Sequence, residues 1–135
     1  MSHGDLRFGA VFFWRGFEFE DGGSSDKLLV LLGARQNLPY IAVLTTSQRY
    51  WPENVGCHAE DGYFFFRDGG TAKFSKDTWI DLRRVWEIHP AEIVKAALAK
   101  DVIVRWNLPQ NDAAAIRNCL KRSKDISPYQ ITLLE

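Results

Sequence analysis

The stretch Lys27–Gln48, KLLVLLGARQNLPYIAVLTTSQ, decides the fold of this chain. It contains two short apolar runs, Leu28–Leu32 and Tyr40–Leu44, joined by a polar connection with turn-forming residues. Runs of this length, rich in Leu, Val, Ile and Tyr and bounded by Gly, Asn and Pro, predict two buried antiparallel strands. The second run ends in the polar cluster Thr45–Gln48. Two interpretations are open: a small polar site on a rigid frame, or a strand that simply ends in polar residues.

Length and composition describe one globular domain. The chain has 135 residues, of which 46% are apolar and 25% charged, and this predicts a single domain over residues 1–135. The aromatic fraction of 13% suits a small β-rich core or a surface that stacks on flat groups. The formal net charge is zero, which excludes an overall basic field that would attract nucleic acid or membranes.

The cysteines and the N-terminus indicate where the chain resides. Cys57 and Cys119 form at most one bridge. The start MSHGDLRF has neither the basic beginning nor the apolar core of a signal peptide. No segment approaches the roughly 20 apolar residues of a membrane span. We therefore predict a cytoplasmic protein with reduced thiols and no membrane contact.

Outside the central stretch, the patterns predict further strands and two late helices. The segment 21–26, DGGSSD, is either a plain connection or a mobile flap over a binding surface. The predicted fold is mainly β, a small barrel-like sheet over about residues 4–90 with a helix–strand–helix extension over about 90–127. The predicted elements are a strand at 6–14, a hairpin at 63–74, one or two strands at 77–88, a helix at 90–100, a strand at 102–106, a helix from 111 or 112 to 124, and an extended tail from 128.

The order of these features resembles a known family. Gly4-Asp5 opens the first strand, and the runs KLLVLLG, VLTTSQ, RYWPENVG and SKDTWIDLRRVWEI follow in that order. Over residues 4–90 this is similar to the MazF/PemK toxins of bacterial toxin–antitoxin pairs, in which the last segment typically follows a D-S-x-V-x-x-D-Q-I-x-x-I pattern. The resemblance implies an SH3-like barrel with a C-terminal helix, usually a homodimer. It also implies cleavage of single-stranded RNA without metal or cofactor, and a cognate antitoxin protein that covers the RNA groove.

The family pairs an Arg, at the start of the strand after the flexible loop, with a Thr or Ser that ends the next strand. By order these positions fall on Lys27 and Thr45, with Thr46 and Ser47 as alternates. The family's Arg-Pro reads Lys27-Leu28 here. Arg offers phosphate a planar fork and Lys a point charge, so Lys27 stabilises charge but orients phosphate less well. Two outcomes stay open: an altered endoribonuclease, or a catalytically inactive barrel that binds peptide or nucleic acid.

Further residues are predicted to bind substrate. Arg49, Tyr50 and Trp51 interleave charge with flat rings, as single-strand binding surfaces do; alternatively, the rings fold back onto the core. Arg67 is a further candidate for phosphate contact, as are Lys73, Arg83 and Arg84, although charge pairs on solvated strands also explain these cations.

Cys57 and His58, with Glu60 and Asp61 nearby, superficially resemble a metal site. Adjacent residues of an extended chain point to opposite sides, so Cys57 and His58 do not share a ligand. No metal site is predicted.

Overall fold

The computed structural model describes residues 6–135, so Gly4 and Asp5 of the predicted first strand lie outside the described residues. One antiparallel sheet of seven strands and three helices make up the described chain. The strands are β1 (Ala10–Glu18), β2 (Ser24–Gly33), β3 (Tyr40–Thr46), β4 (Gly56–His58), β5 (Tyr63–Phe66), β6 (Thr78–Ile88) and β7 (Val102–Asn107). The helices are α1 (Pro90–Leu98), α2 (Gln110–Lys121) and α3 (Pro128–Thr132). The spatial order of the strands is β4-β5-β6-β3-β2-β1-β7.

The central pair of strands is the one that the opening stretch predicts. β2 and β3 run antiparallel, with Val30 opposite Val43 and Leu29 opposite Leu44. The apolar run of β2 is continuous because the sheet is covered on both faces. Val30 and Leu32 belong to one buried cluster, which α2 covers, and the alternate residues of β2 belong to a second cluster, which α1 covers. A fully buried Leu contributes roughly 1.5–3 kcal/mol relative to an exposed one, so the alternation fixes the register of the pair.

The sheet is open. The prediction of a mainly β fold with helices late in the chain is confirmed, but the sheet is not closed into a barrel. β4 and β7 are the two edges of the strand order, and β7 pairs with β1 alone within the described chain. α2 packs against β4 and is bonded to it through Cys57 and Cys119. Each edge therefore has a helix as a neighbour, since α1 packs against β7.

The bond between Cys57 and Cys119 corrects the prediction of reduced thiols. The two Cα atoms lie 5.6 Å apart and form a disulfide across 62 residues of sequence. The prediction of reduced thiols rests on the lack of a signal-peptide pattern, and no local pattern of the sequence shows that β4 and α2 pack together. In residues 6–135, no helix has the length and apolar character that crossing a membrane requires.

The predicted hairpin at residues 63–74 is wrong in its second strand. β5 pairs with β4 and β6 instead, with Phe64 opposite Ile80. The segment 71–74 is irregular, and Lys73 has a positive φ of 67°. It leaves the sheet because Phe74 packs against Trp106, whose indole Nε1 donates to the carbonyl of Ala72 at 2.9 Å.

The tail from residue 128 differs from the prediction, whereas the segment 21–26 fits the plain connection that was one of its two interpretations. The loop at residues 21–26 is a tight turn, because Ser24 already belongs to β2 and the amide of Phe19 donates to the carbonyl of Gly23 at 2.7 Å. The tail from Pro128 begins with the short helix α3. Ser127 and Gln130 form a capping box at the start of this helix, which satisfies amides that have no partner inside it.

Candidate nucleic-acid interface

An open groove of about 690 Å³ lies where β2 begins and β3 ends. We call it the main groove. Its lining combines cations, hydroxyl groups and aromatic rings. The cations are Lys27, Lys76 and Arg105, the hydroxyl groups include those of Thr45, Thr46 and Ser47, and the rings are Phe13, Phe74 and Trp106. The structure therefore brings together the predicted residues Lys27, Thr45, Thr46 and Ser47.

The two threonines at the end of β3 present different groups to a ligand. The hydroxyl of Thr45 donates to the backbone carbonyl of Leu28 at 2.8 Å. The hydroxyl oxygen of Thr46 accepts from the backbone amide of Gln48 at 3.1 Å. A hydroxyl has one donor hydrogen and two lone pairs. Thr45 is therefore left to accept from a ligand, whereas Thr46 keeps its hydrogen to donate.

Lys27 and Thr45 belong to opposite faces of the sheet. Lys27 alternates in step with Leu29, and its Nζ lies 5.7 Å from the centroid of the Phe19 ring, on the side of the cluster beneath α1. Thr45 alternates in step with Val43, which belongs to the cluster beneath α2. In this arrangement the ammonium group of Lys27 is turned towards Phe19, and both residues reach the groove at the strand ends.

Lys76 and Arg105 were not predicted from the sequence. Both are exposed, and the guanidinium carbon of Arg105 lies 5.2 Å from the centroid of the Phe13 ring. None of the three groove cations has an ion-pair partner among residues 6–135. One signal was present in the sequence, because Arg105 precedes Trp106 just as Arg49 precedes an aromatic pair.

Asp26 is the carboxylate in the groove lining. Its Oδ1 accepts from the backbone amide of Gly16 at 2.9 Å. This hydrogen bond joins β2 to the bulge region of β1 and fixes the orientation of the carboxyl group. The second carboxylate oxygen has no hydrogen bond to residues 6–135 and remains free to accept one.

A second, smaller pocket of about 240 Å³ adjoins the main groove and shares Thr46 and Gln48 with it. We call it the Tyr50 pocket, since Arg49, Tyr50, Trp51, Asp81 and Arg83 complete its lining. The two aromatic residues predicted to bind substrate, Tyr50 and Trp51, differ in their exposure. Trp51 is only 8% exposed and stacks on Tyr63 in the core, whereas Tyr50 is 70% exposed. Of the two interpretations, folding back onto the core describes Trp51 and an open ring describes Tyr50.

Arg67 lies outside both pockets. Its Nη2 donates to the backbone carbonyl of Glu53 at 3.2 Å, and its Nη1 lies 3.8 Å from carboxylate oxygens of Glu53 and Asp77. The backbone amide of Asp68 donates to Asp77 at 2.8 Å and lowers the pKa of that carboxyl group below 3.8, with Arg67 as a smaller cause. Arg67 is therefore occupied by carboxylates of its own chain.

Two further cations of the strand region are paired. Arg83 contacts Asp81 at 3.0 Å, and Arg84 is bonded to Glu20. The interpretation of these residues and Arg67 as members of charge pairs therefore agrees with the structure. Within residues 6–135, no group of three or more His, Cys, Asp or Glu side chains is placed to hold a metal ion.

Comparison with known proteins gives no relative for this chain. No family model matches it, and no curated protein or solved structure shows significant similarity to it.

Proposed function

We propose that this protein binds single-stranded RNA in the main groove and that it is a toxin-like endoribonuclease of the MazF/PemK kind, which cleaves RNA without metal. One observation supports this most strongly: three cations without carboxylate partners in residues 6–135, a cluster of hydroxyl groups and aromatic rings line one open groove. Single-strand binding proteins use the same combination, because cations hold the phosphates and flat rings stack on the bases.

The charge distribution also favours a phosphate-bearing ligand. The chain has zero net charge, so a long-range field does not attract RNA, and local charge has to do so. Lys76 and Arg105 are both exposed at the groove. Phosphates that replace the counterions of such cations release those ions into solution, and this makes binding depend strongly on salt.

Cleavage requires three roles in the groove. The 2′-hydroxyl oxygen attacks the phosphorus, the bond to the 5′ oxygen breaks, and a cyclic phosphate and a free 5′-hydroxyl result. Thr45, whose oxygen is left to accept, first positions the 2′-hydroxyl by accepting its hydrogen bond. That hydrogen then turns to the carboxylate of Asp26, which takes the proton as the oxygen attacks. Lys27 and the Thr46 hydroxyl stabilise the charge that grows on the phosphate oxygens, and a water molecule protonates the leaving oxygen.

A second candidate function is RNA binding without cleavage, by a catalytically inactive module built on the open sheet. Two observations favour it. The Thr45 hydrogen is already donated to Leu28, and the ammonium group of Lys27 lies over Phe19 instead of beside Thr45. The homodimer and the cognate antitoxin that the family resemblance implies remain part of the first proposal alone.

The test uses mixed-sequence single-stranded RNA, purified protein and excess EDTA, with cleavage and binding measured in parallel. We expect cleavage to persist in EDTA and to disappear in Thr45→Ala and Lys27→Ala. Thr132→Ala and Lys121→Ala are matched controls, since these exposed residues lie outside both pockets. Binding without cleavage would support the second candidate, and a protein that does not bind RNA would exclude both.

A further inference from the structure

The Tyr50 pocket contains a corner made of two rings and one guanidinium group. The guanidinium carbon of Arg83 lies 4.7 Å from the centroids of both Tyr50 and Trp51. The two rings are arranged edge to face, with centroids 4.9 Å apart and an interplanar angle of 71°. A cation at this distance from a ring face is attracted by the ring electrons. Arg83 therefore holds the exposed Tyr50 ring against the buried Trp51.

Arg83 is itself fixed by Asp81. Its Nε and Nη2 donate to the two carboxylate oxygens of Asp81 at 3.1 and 3.0 Å, and its backbone amide donates to the same carboxylate at 3.0 Å. The hydrogen bond with Asp81 is also the main cause that raises the pKa of Arg83. A two-pronged contact of this kind sets the plane of the guanidinium group.

The backbone beneath Arg83 makes room for its side chain. Gly62 has a φ of 83°, and a Cβ atom there would approach Cγ of Arg83 to 2.5 Å. Only glycine adopts this backbone region readily and also leaves the space free. The aliphatic part of Arg83 therefore lies close over the turn between β4 and β5.

The inner side of the corner is supported by stacked rings. Trp51 stacks on Tyr63 with centroids 5.1 Å apart, and His58 stacks on Tyr63 at 4.6 Å. Tyr63 is only 1% exposed, so this column does not shift without disturbing the core. The outer ring, Tyr50, is 70% exposed. A rigid, supported ring that is open to solvent on one side is what a stacking partner needs.

We propose that Tyr50 and Arg83 form a stacking site for one nucleobase of the strand whose phosphates lie in the main groove. The site adjoins the groove through Thr46 and Gln48, which line both. Because Asp81 already neutralises Arg83, the site recognises the flat face of the base and not a phosphate. Stacking accepts every base. This inference rests on the proposed function.

The experiment measures binding of Tyr50→Ala, Tyr50→Phe and Tyr50→Trp to short oligo-U and oligo-A by fluorescence anisotropy. Loss of one stacked base costs about 1–3 kcal/mol, which corresponds to roughly fivefold to hundredfold weaker binding. We expect this loss for Tyr50→Ala with both oligomers by a similar factor, and near wild-type binding for Phe and Trp. Tyr129→Ala is the matched control, because Tyr129 is 55% exposed and lies outside both pockets.

A scan with single abasic sites along the RNA provides the second measurement. One abasic position is expected to weaken wild-type binding and to have no further effect on Tyr50→Ala, because the base and the ring form one interaction. Additive losses at every position would overturn the stacking site, as would wild-type affinity of Tyr50→Ala alongside weakened binding of Lys76→Ala. That last pattern would leave the proposed function intact. Absence of RNA binding by the wild-type protein would refute both.

Discussion

The cations of the main groove differ in their surroundings from Arg83, which lines the Tyr50 pocket, and from Arg67, which lies outside both pockets. Lys76 and Arg105 have no ion-pair partner within residues 6–135. Arg83, by contrast, is held by Asp81 of the same strand, and Arg67 lies near Glu53 and Asp77. An unpaired exposed cation offers its full charge to a phosphate. In a paired cation, the carboxylate cancels most of the positive field and holds the side chain in one orientation. Such exposed ion pairs add little to the stability of the fold. Residue type alone therefore does not identify which cations are available to bind a phosphate.

The largest effect, on the free energy of unfolding, is expected from removal of the disulfide between β4 and α2. Replacing both Cys57 and Cys119 by Ser removes the bond that ties β4 to α2 across 62 residues. We expect the free energy of unfolding to fall by about 2–4 kcal/mol, because the unfolded chain regains freedom. Urea denaturation measures this.

The same variant is expected to affect the Tyr50 pocket and the main groove to different extents. His58 of β4 supports Tyr63, and through it Trp51. Loss of the disulfide is therefore expected to disorder the side chains of the Tyr50 pocket more than those of the main groove. Reduction of the wild-type protein with dithiothreitol is expected to reproduce the variant, and the variant is expected not to respond to it. Equal free energies of unfolding of the oxidised wild-type protein and the double variant would show that the disulfide does not stabilise the fold.

The next largest effect is expected from removal of the unpaired cations of the main groove. Lys76→Ala combined with Arg105→Ala is expected to weaken RNA binding about tenfold or more, since a hydrogen bond with a charged group contributes roughly 1.5–3 kcal/mol. The slope of log K against log salt is expected to decrease by about 1.4, or about 0.7 for each phosphate of a single strand that the protein no longer neutralises. Titrations at several salt concentrations give both numbers.

Arg67→Ala is the counterpart within the comparison. Because Glu53 and Asp77 already surround this cation, its removal is expected to leave the salt slope unchanged. Arg67 is a predicted substrate-binding residue that lies outside both pockets, as do the further candidates Lys73 and Arg84. A slope that falls as far in Arg67→Ala as in the groove variant would break the distinction between paired and unpaired cations.

The smallest effect concerns pH. The pKa of Asp77 is lowered, first by the amide of Asp68, so its charged form stabilises the folded protein. This stabilisation is present above 3.8 and is lost as the pH falls through the lower pKa of the folded state. Asp77→Asn is therefore expected to melt at a lower temperature near neutral pH and to approach the wild-type value in acid. A constant difference in melting temperature across pH would contradict this.

The sequence predicts what local patterns determine. The apolar runs of β2 and β3 identify a buried pair because period and length agree over both runs. The Thr45–Gln48 cluster is correctly placed at a strand end for the same reason. The start of α1 is also visible, because Pro90 and Glu92 suit a first helical turn.

Contacts between distant segments were not predictable in the same way. Arg105 reaches the groove because β7 pairs with β1, which lies far earlier in the chain, and no local pattern records that pairing. Trp51 and Tyr50 are neighbours in sequence, yet the ring of Tyr63 buries only the former. Closure of the sheet likewise depends on whether its two edges meet, which strand-by-strand patterns do not specify.

The turn at Gly62 has a consequence for how this sequence changes over evolutionary time. A Cβ atom at this position would collide with the stem of Arg83, so the two positions are not free to vary independently. If Arg83 were first shortened to Ser, Asn would become acceptable at residue 62, because it tolerates positive φ better than most residues. The reverse order would pass through an intermediate that is both strained and crowded. Natural sequence drift is therefore expected to alter position 83 before position 62.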